Sequence, residues 1–218
     1  MTGYNVETTS VRVAGIDYRI RMLSDRQQYY DPEGRAERAG ISSATWPIFG
    51  MIWPVGIALA EELSRIDIEN RRILEVGCGL ALCSLVLKRR GADITASDHH
   101  PLAQEFLIHN AELNNLSSIA YVDAAWEMNH PTLGQFDLIV GSDVLYEPNH
   151  AQLLQGFIER HAKPSAELMI ADPGRGYRGQ FTKRMALLGF ERTELPCRAG
   201  GAEIELKGRI LQFTRRSG

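Results

Sequence analysis

Cysteine is scarce in this 218-residue chain: Cys78, Cys83 and Cys197 are all there is. An odd number without framework spacing excludes a disulfide scaffold and suits a reducing compartment. Long apolar runs are also missing. The longest, Pro47 to Ala60, is interrupted by Gly50, Pro54 and Gly56. A membrane span needs ~20 apolar residues, so no membrane association is expected. The first residues have neither a basic start nor an apolar core, so no secretory signal is expected and the cytoplasm is the expected location. Positive charge is not in excess: 24 Lys plus Arg stand against 27 Asp plus Glu, a net charge of −3. An electrostatic nucleic-acid binder is usually basic, so a nucleic-acid partner is disfavoured, although an acidic body can carry a local basic patch. His109, His130, His150 and His161 share no metal-ligand spacing, and Cys78 and Cys83 have no partner pair, so no metal is expected and the cysteines read as small buried residues. No repeat or low-complexity tract stands out.

What is present is a change of period along the chain. Residues 10–23 alternate apolar and polar around Ala14-Gly15, which predicts a β-hairpin. Residues 24–45 are polar and aperiodic, a length that marks a functional or mobile loop and allows a lid. Pro54 to Leu63 predicts a helix with proline in its first turn. Strands and helices then alternate. Strands are expected at 72–76, 93–97, 119–122, 136–141 and 167–171, and helices at 81–90, 101–114, 151–161 and 180–188. Two closing strands are expected at 190–195 and 203–213, around Ala199-Gly200-Gly201. The alternation predicts a parallel, doubly wound α/β sheet with right-handed crossovers. The almost wholly apolar 136–141 reads as its central strand. Ligands of such sheets lie at the carboxyl ends of the strands.

The loop after the first of these strands reads Glu75-Val76-Gly77-Cys78-Gly79. Gly77 and Gly79 permit a tight turn and close approach of a ligand. Glu75 discriminates between ligands. A dinucleotide would lay its pyrophosphate over this loop, and a carboxylate there would repel it by about 1 kcal/mol at ~4 Å in water, more when buried. S-adenosyl-L-methionine carries a sulfonium and an ammonium and no phosphate, and suits an acidic strand end. Asp98 lies 21 residues after Gly77, at the end of the second strand, where a carboxylate accepts both ribose hydroxyls.

Residues 73–81, Ile-Leu-Glu-Val-Gly-Cys-Gly-Leu-Ala, resemble the first motif of class I methyltransferases, with Ala81 in place of the pattern's third glycine. Asp98 resembles the acid of the second motif. Residues 137–146, Asp-Leu-Ile-Val-Gly-Ser-Asp-Val-Leu-Tyr, resemble the fourth strand and D-x-x-Y motif of the seven-β-strand protein methyltransferases, which are mostly lysine-specific. Ile52-Trp53-Pro54 resembles that family's Trp-Pro helix start. Trp46, also followed by proline, is the alternative, but the helix and strand after Trp53 have the expected lengths.

The resemblance covers residues 45–160. It implies a Rossmann-like, seven-stranded, mostly parallel sheet, and the composition of the tail adds a C-terminal antiparallel hairpin. Residues 1–45 are then an N-terminal extension and 46–218 the methyltransferase domain. By the same resemblance Asp123 accepts the adenine amino group and Trp126 lies against the cofactor. Trp53 and Ser142 complete the cofactor set. Asp143 and Tyr146 are the catalytic candidates: Asp143 to accept a hydrogen bond from the acceptor amine, Tyr146 to orient that amine or wall its channel. His99 and His100 are expected in a solvated loop, with a place in the adenine pocket as the alternative.

The expected activity is S-adenosylmethionine-dependent N-methylation, most simply of a protein lysine. The Asn- or Asp-Pro-Pro-aromatic motif of many nucleobase amino-methyltransferases is absent at this point. A small-molecule amine or pyridine methyltransferase, a non-catalytic cofactor-binding module and a nucleotide-binding oxidoreductase remain the competing readings. Glu75 counts against the last.

Overall fold

The computed structural model describes residues 3–200 and 204–216. An antiparallel hairpin, β1 (Val6–Val13) and β2 (Ile16–Leu23), comes first. A four-residue helix α1 (Arg35–Arg38) lies in the polar segment expected to be loop, and a 3-10 helix covers Trp46–Gly50. Then follow α2 (Pro54–Leu63), β3 (Arg72–Val76), α3 (Leu82–Arg89), β4 (Asp93–Asp98), α4 (Ala103–Leu113), β5 (Ala120–Asp123) and β6 (Phe136–Ser142). The chain continues through α5 (His150–His161), β7 (Ala162–Asp172), α6 (Arg178–Leu187), β8 (Glu191–Ala199) and β9 (Ile204–Arg215). Of the turn expected at 199–201, Gly201 lies outside the described residues, as does Glu203.

The main sheet has the order β5-β4-β3-β6-β7-β9-β8. Its first five strands are parallel, and β9 and β8 close it antiparallel. This is the seven-stranded arrangement expected. β6 is its middle strand and is buried on both faces, which is why its sequence is a nearly continuous apolar run. Neighbouring residues on each strand serve opposite layers. Ile73, Leu138 and Met169 face α2, α3 and α4, whereas Leu74, Ile139 and Leu168 face α5 and α6. Chain reversal at β3, whose neighbours are β4 on one side and β6 on the other, opens the sheet at its carboxyl edge there.

Local chemistry sets the helix ends. α3 carries Lys88 and Arg89 in its last turn, and Gly91 takes φ +83° beyond it. Ala92 N–H donates to Leu87 O and Gly91 N–H to Lys88 O, the paired closure that a left-handed glycine permits. The largest departure from expectation is β7. It begins at Ala162, five residues before the strand read from the sequence, and pairs with β6 through a register shift between Phe136 and Leu138. The shift absorbs Pro164 and Ser165, which cannot pass for regular apolar strand.

The N-terminal hairpin is attached by side-chain amides that imitate a strand edge. Asn110 on α4 and Asn114 at its C-terminal cap lie one turn apart. Arg21 N–H donates to Asn110 Oδ1 at 2.7 Å and Arg19 N–H to Asn114 Oδ1 at 3.0 Å, and the two Nδ2 groups donate back to Arg21 O and Arg19 O. The helical four-residue step thus meets the strand's two-residue step. Both asparagines are buried, so truncating either leaves backbone groups unpaired. Asn110→Ala and Asn114→Ala are each expected to lower unfolding free energy by about 1–3 kcal/mol in urea titrations. A change within error for both would mean that apolar packing alone seats the hairpin.

Candidate active site

At the carboxyl edge of β3, β4 and β6 lies a cavity of ≈370 Å³. It falls within the size range of small-molecule sites. Among the described residues five carboxylates line it, those of Glu75, Asp98, Glu127, Asp143 and Glu147, and no Lys or Arg belongs to its wall. Trp53, Gly77, Gly79, Trp126, Ser142 and Tyr146 also reach this wall, so the structure brings together nine of the ten candidates read from the sequence. The tenth, Asp123, ends β5 beside Asp98 in the register and is exposed, but it is not part of the wall. The wall after β5 is formed by Ala125, Trp126 and Glu127 instead.

The turn after β3 is built for close approach. Gly77 and Gly79 have φ +58° and +50°. A Cβ on Gly79 would stand 2.7 Å from the carbonyl oxygen of Phe49, and one on Gly77 would stand 2.9 Å from Val144. Ala81, where the family pattern has a third glycine, is also left-handed at φ +62° and carries its methyl fully buried. A non-glycine residue there costs about 1–2 kcal/mol of backbone strain.

Glu75 is buried at the end of β3. Its Oε2 accepts hydrogen bonds from the Ser84 amide at 2.9 Å and from the Ser84 hydroxyl, both on the first turn of α3. Burial pushes its carboxyl up to about 7, and the Ser84 hydrogen bonds restrain that rise. Asp98 is buried at the end of β4. One oxygen accepts from Gly79 N–H at 2.8 Å and the other from His100 N–H at 2.9 Å. A carboxylate oxygen has room for a further donor, so both retain capacity for a ligand diol.

His100 overturns the expectation of a solvated loop. It is buried, its ring stacks on Phe49 at 3.7 Å between centroids, and both rings line the cavity. Its Nδ1 accepts from Leu102 N–H. Burial depresses its pKa to about 4, so the ring is neutral at pH 7. His99 is half-buried and also reaches the cavity wall. Trp46 is fully buried among Tyr4, Phe49 and His100, so it is the core tryptophan, and Trp53 is the one that faces the cavity. The polar segment after β2 also contributes, with Ala39, Gly40, Ile41 and Thr45 in the wall.

At the end of β6, Asp143 takes φ +54° and its N–H donates to Ala171 O at 2.8 Å. That turn aims its carboxylate at Arg175, which donates from Nε and Nη2 at 2.6 Å each. The Arg175 guanidinium lies 5.7 Å from the Trp53 ring. Tyr146 packs edge-on against His150 at 4.4 Å, and burial raises its hydroxyl pKa, keeping it protonated. Sequence reading missed Ser84, Phe49 and Arg175. Arg175 had a signal, because Asp172-Pro173-Gly174-Arg175-Gly176 is the loop after a parallel strand. Among the described residues no group of three or more His, Cys, Asp or Glu is arranged to hold a metal, and no helix is long and apolar enough to cross a membrane.

The Glu75 shift makes stability depend on pH. The folded state holds this proton from 4.5 up to about 7, where the unfolded chain has lost it. Stability is therefore full below about 4.5 and falls as pH rises toward about 7, by of order 3 kcal/mol. Urea titrations across that range should show this slope flattened in Glu75→Gln, and an unchanged slope would place the shifted group elsewhere.

Comparison with known proteins agrees with this geometry. The profile of the family described as lysine methyltransferase matches residues 42–185. A histone-arginine methyltransferase, METTL23, of Xenopus laevis is 32% identical over 108 residues, 46% of each chain. A protein N-lysine methyltransferase, METTL21A, of Danio rerio is 29% identical over 147 residues, 64% of this chain and 60% of its own. A ribosomal protein L11 methyltransferase of Helicobacter pylori is 33% identical over 113 residues, 46% of this chain and 34% of its own. The chain thus matches less than two thirds of the length of these relatives. Among solved structures, the Thermus thermophilus 16S rRNA N2 G1207 methyltransferase RsmC, in complex with AdoMet and guanosine, superposes with a TM-score of 0.63 at 17% identity, over 97% of this chain and 51% of its own. A putative methyltransferase complexed with SAH, SMU.776, gives 0.64 at 14% identity, over 95% and 56%. These likenesses establish the class I methyltransferase fold, and the profile match over residues 42–185 makes the chain a member of the lysine methyltransferase family.

Proposed function

We propose that the protein transfers a methyl group from S-adenosyl-L-methionine to the side-chain nitrogen of a protein lysine. One observation carries the reading: a cavity large enough for a nucleoside, with five carboxylates and no Lys or Arg among the described residues of its wall, Asp143 being paired with Arg175 outside it. Such a wall repels a pyrophosphate and attracts a cationic, phosphate-free nucleoside. The residues present fit that cofactor. Asp98 would hold the ribose diol, Phe49, His100 and Trp126 offer ring surfaces to the adenine, and Gly77 and Gly79 leave room where a Cβ would intrude. Trp53, Ser142 and Glu75 complete this set. Asp123 is left as an outer acid, reached by the adenine only if the base extends past Ala125.

The cofactor supplies an electrophilic methyl on a sulfonium, and its thioether leaves without needing an acid. The protein's task is therefore on the acceptor side. A lysine amine, with a reference pKa near 10.4, is mostly protonated at pH 7 and must lose a proton before its lone pair is free. Asp143 accepts a hydrogen bond from that nitrogen and aims it. Tyr146, held protonated by burial, can donate or wall the channel but cannot take the proton. Most of the acceleration comes from positioning, which can contribute ~7–11 kcal/mol.

The relatives support a protein acceptor: those compared are named as methyltransferases of lysine, of histone arginine and of a ribosomal protein. The rRNA enzyme among the structural neighbours shares the fold, and a nucleic-acid acceptor remains the weaker reading for a chain of net charge −3 without the Pro-Pro-aromatic motif. Three free, buried cysteines support a cytoplasmic setting.

Incubation with labelled cofactor and cell extract should label a protein band, and label confined to RNA or a metabolite would overturn the acceptor. Asp143→Asn should lower turnover ~10²–10⁴-fold with little change in cofactor affinity. Cofactor binding should release a proton near neutral pH, because a cation beside Glu75 draws its carboxyl into the charged form. Affinity should then strengthen as pH rises through about 7. Calorimetry in buffers of different ionisation heats reads this directly, and proton release should vanish in Glu75→Gln. If the wild type releases none, no cation sits beside Glu75.

A further inference from the structure

We propose that Arg175 determines acceptor specificity: its guanidinium occupies the partner position on Asp143 and yields only to an acceptor that brings its own positive charge. The inference rests on the reading of Asp143 as the residue that meets the acceptor nitrogen. The side chain of Asp143 is 5% exposed and that of Arg175 is 40% exposed, so the guanidinium covers a carboxylate that is otherwise buried. Asp143 belongs to the cavity wall and Arg175 does not. Both Asp143 oxygens are engaged at 2.6 Å by a planar fork, the strongest pairing a carboxylate makes with a side chain. With this fork in place the charge of Asp143 is already met and each oxygen keeps only its second lone pair, so an incoming ammonium finds no free countercharge there.

Displacing Arg175 without replacement would leave a buried negative charge uncompensated. A protonated amine or a second guanidinium exchanges one cation for another and keeps the charge balanced. A neutral pyridine or amide does not. The site therefore selects first for positive charge, and proton loss from the acceptor follows its capture.

The surrounding chain provides for the exchange. Arg175 is flanked by Gly174 and Gly176, with φ +96° and +98° and no atoms close to the position of a Cβ on either. Three residues earlier, Asp172 is 1% exposed. Its Oδ1 accepts from Gly174 N–H at 2.8 Å, while its buried Oδ2 has no partner among the described residues. It offers a displaced guanidinium a second carboxylate. The other face contact of Arg175, Trp53, already holds a further guanidinium, that of Arg26, at 5.5 Å.

The direct test follows the Arg175 Nε–H resonance by NMR in the full chain loaded with S-adenosylhomocysteine. The resonance is assigned by its loss in Arg175→Lys. Titration with n-butylammonium chloride, against matched sodium chloride, should shift or extinguish it. Nicotinamide, a neutral ring acceptor, should leave it unchanged. No response to n-butylammonium, or an equal response to nicotinamide, overturns the inference. A kinetic arm separates competition from structural support. If Arg175 competes with the acceptor, Arg175→Met raises kcat/KM for a labelled protein acceptor by about tenfold, with the gain in KM. If Arg175 merely props Asp143, the same variant lowers kcat and the inference fails. A protein that transfers no methyl to any acceptor while n-butylammonium still displaces Arg175 would lose the proposed reaction and keep the charge-exchange device.

Discussion

A cluster of carboxylates at the edge of a parallel sheet, of which Asp143 is paired with Arg175, is the constraint around which this molecule is arranged. Carboxylates crowded at a strand edge repel one another, and burial makes Glu75 costlier to ionise. The fold manages this locally. Glu75 is held by the amide and hydroxyl of Ser84 at the start of α3 and has a carboxyl raised to about 7. Asp98 is held by two backbone amides, and Asp143 by the fork of Arg175. What remains is a cavity whose field favours cations, at the place where the sheet's strand order reverses.

Chain stiffness and close packing supply the rest. The turn from β3 to α3 passes so near Phe49 and Val144 that Gly77 and Gly79 admit no side chain. The 3-10 segment that carries Phe49 is anchored by Trp46, which is fully buried among Tyr4, Phe49 and His100. Tyr4 precedes the N-terminal hairpin, so that hairpin, the aromatic cluster and the cavity wall form one continuous packing unit. Asn110 and Asn114 complete it by pairing with alternate residues of β2. A loosened hairpin would therefore be felt at Phe49 and His100.

Much of this was legible in the chain, for identifiable reasons. The strand–helix alternation from Arg72 onward has a strong periodic signal because each strand must be apolar toward two layers, and β3 and α2 have the bounds expected of them. Glu75, Gly77, Gly79 and Asp98 could be placed because their separation is set by one strand-helix-strand unit. Other features left weak signals. The β7 strand starts at Ala162 rather than at Glu167 because a register shift tolerates Pro164, and pairing across strands is invisible to local composition. His100 is polar in isolation, and only the face of Phe49 makes its position apolar.

The division between sequence and structure follows from range. Local chemistry by itself determined the order of elements, the glycine turn and the acids at the strand ends, since each depends on residues close together in the chain. Tertiary structure decided what those acids face. Arg175 reaches Asp143 across 32 positions, Phe49 closes on Gly79 across 30, and Asp123 ends its strand beside Asp98 yet outside the cavity. Those outcomes depend on how sheet strands are ordered and on which loops meet above them, and no short stretch of sequence encodes either.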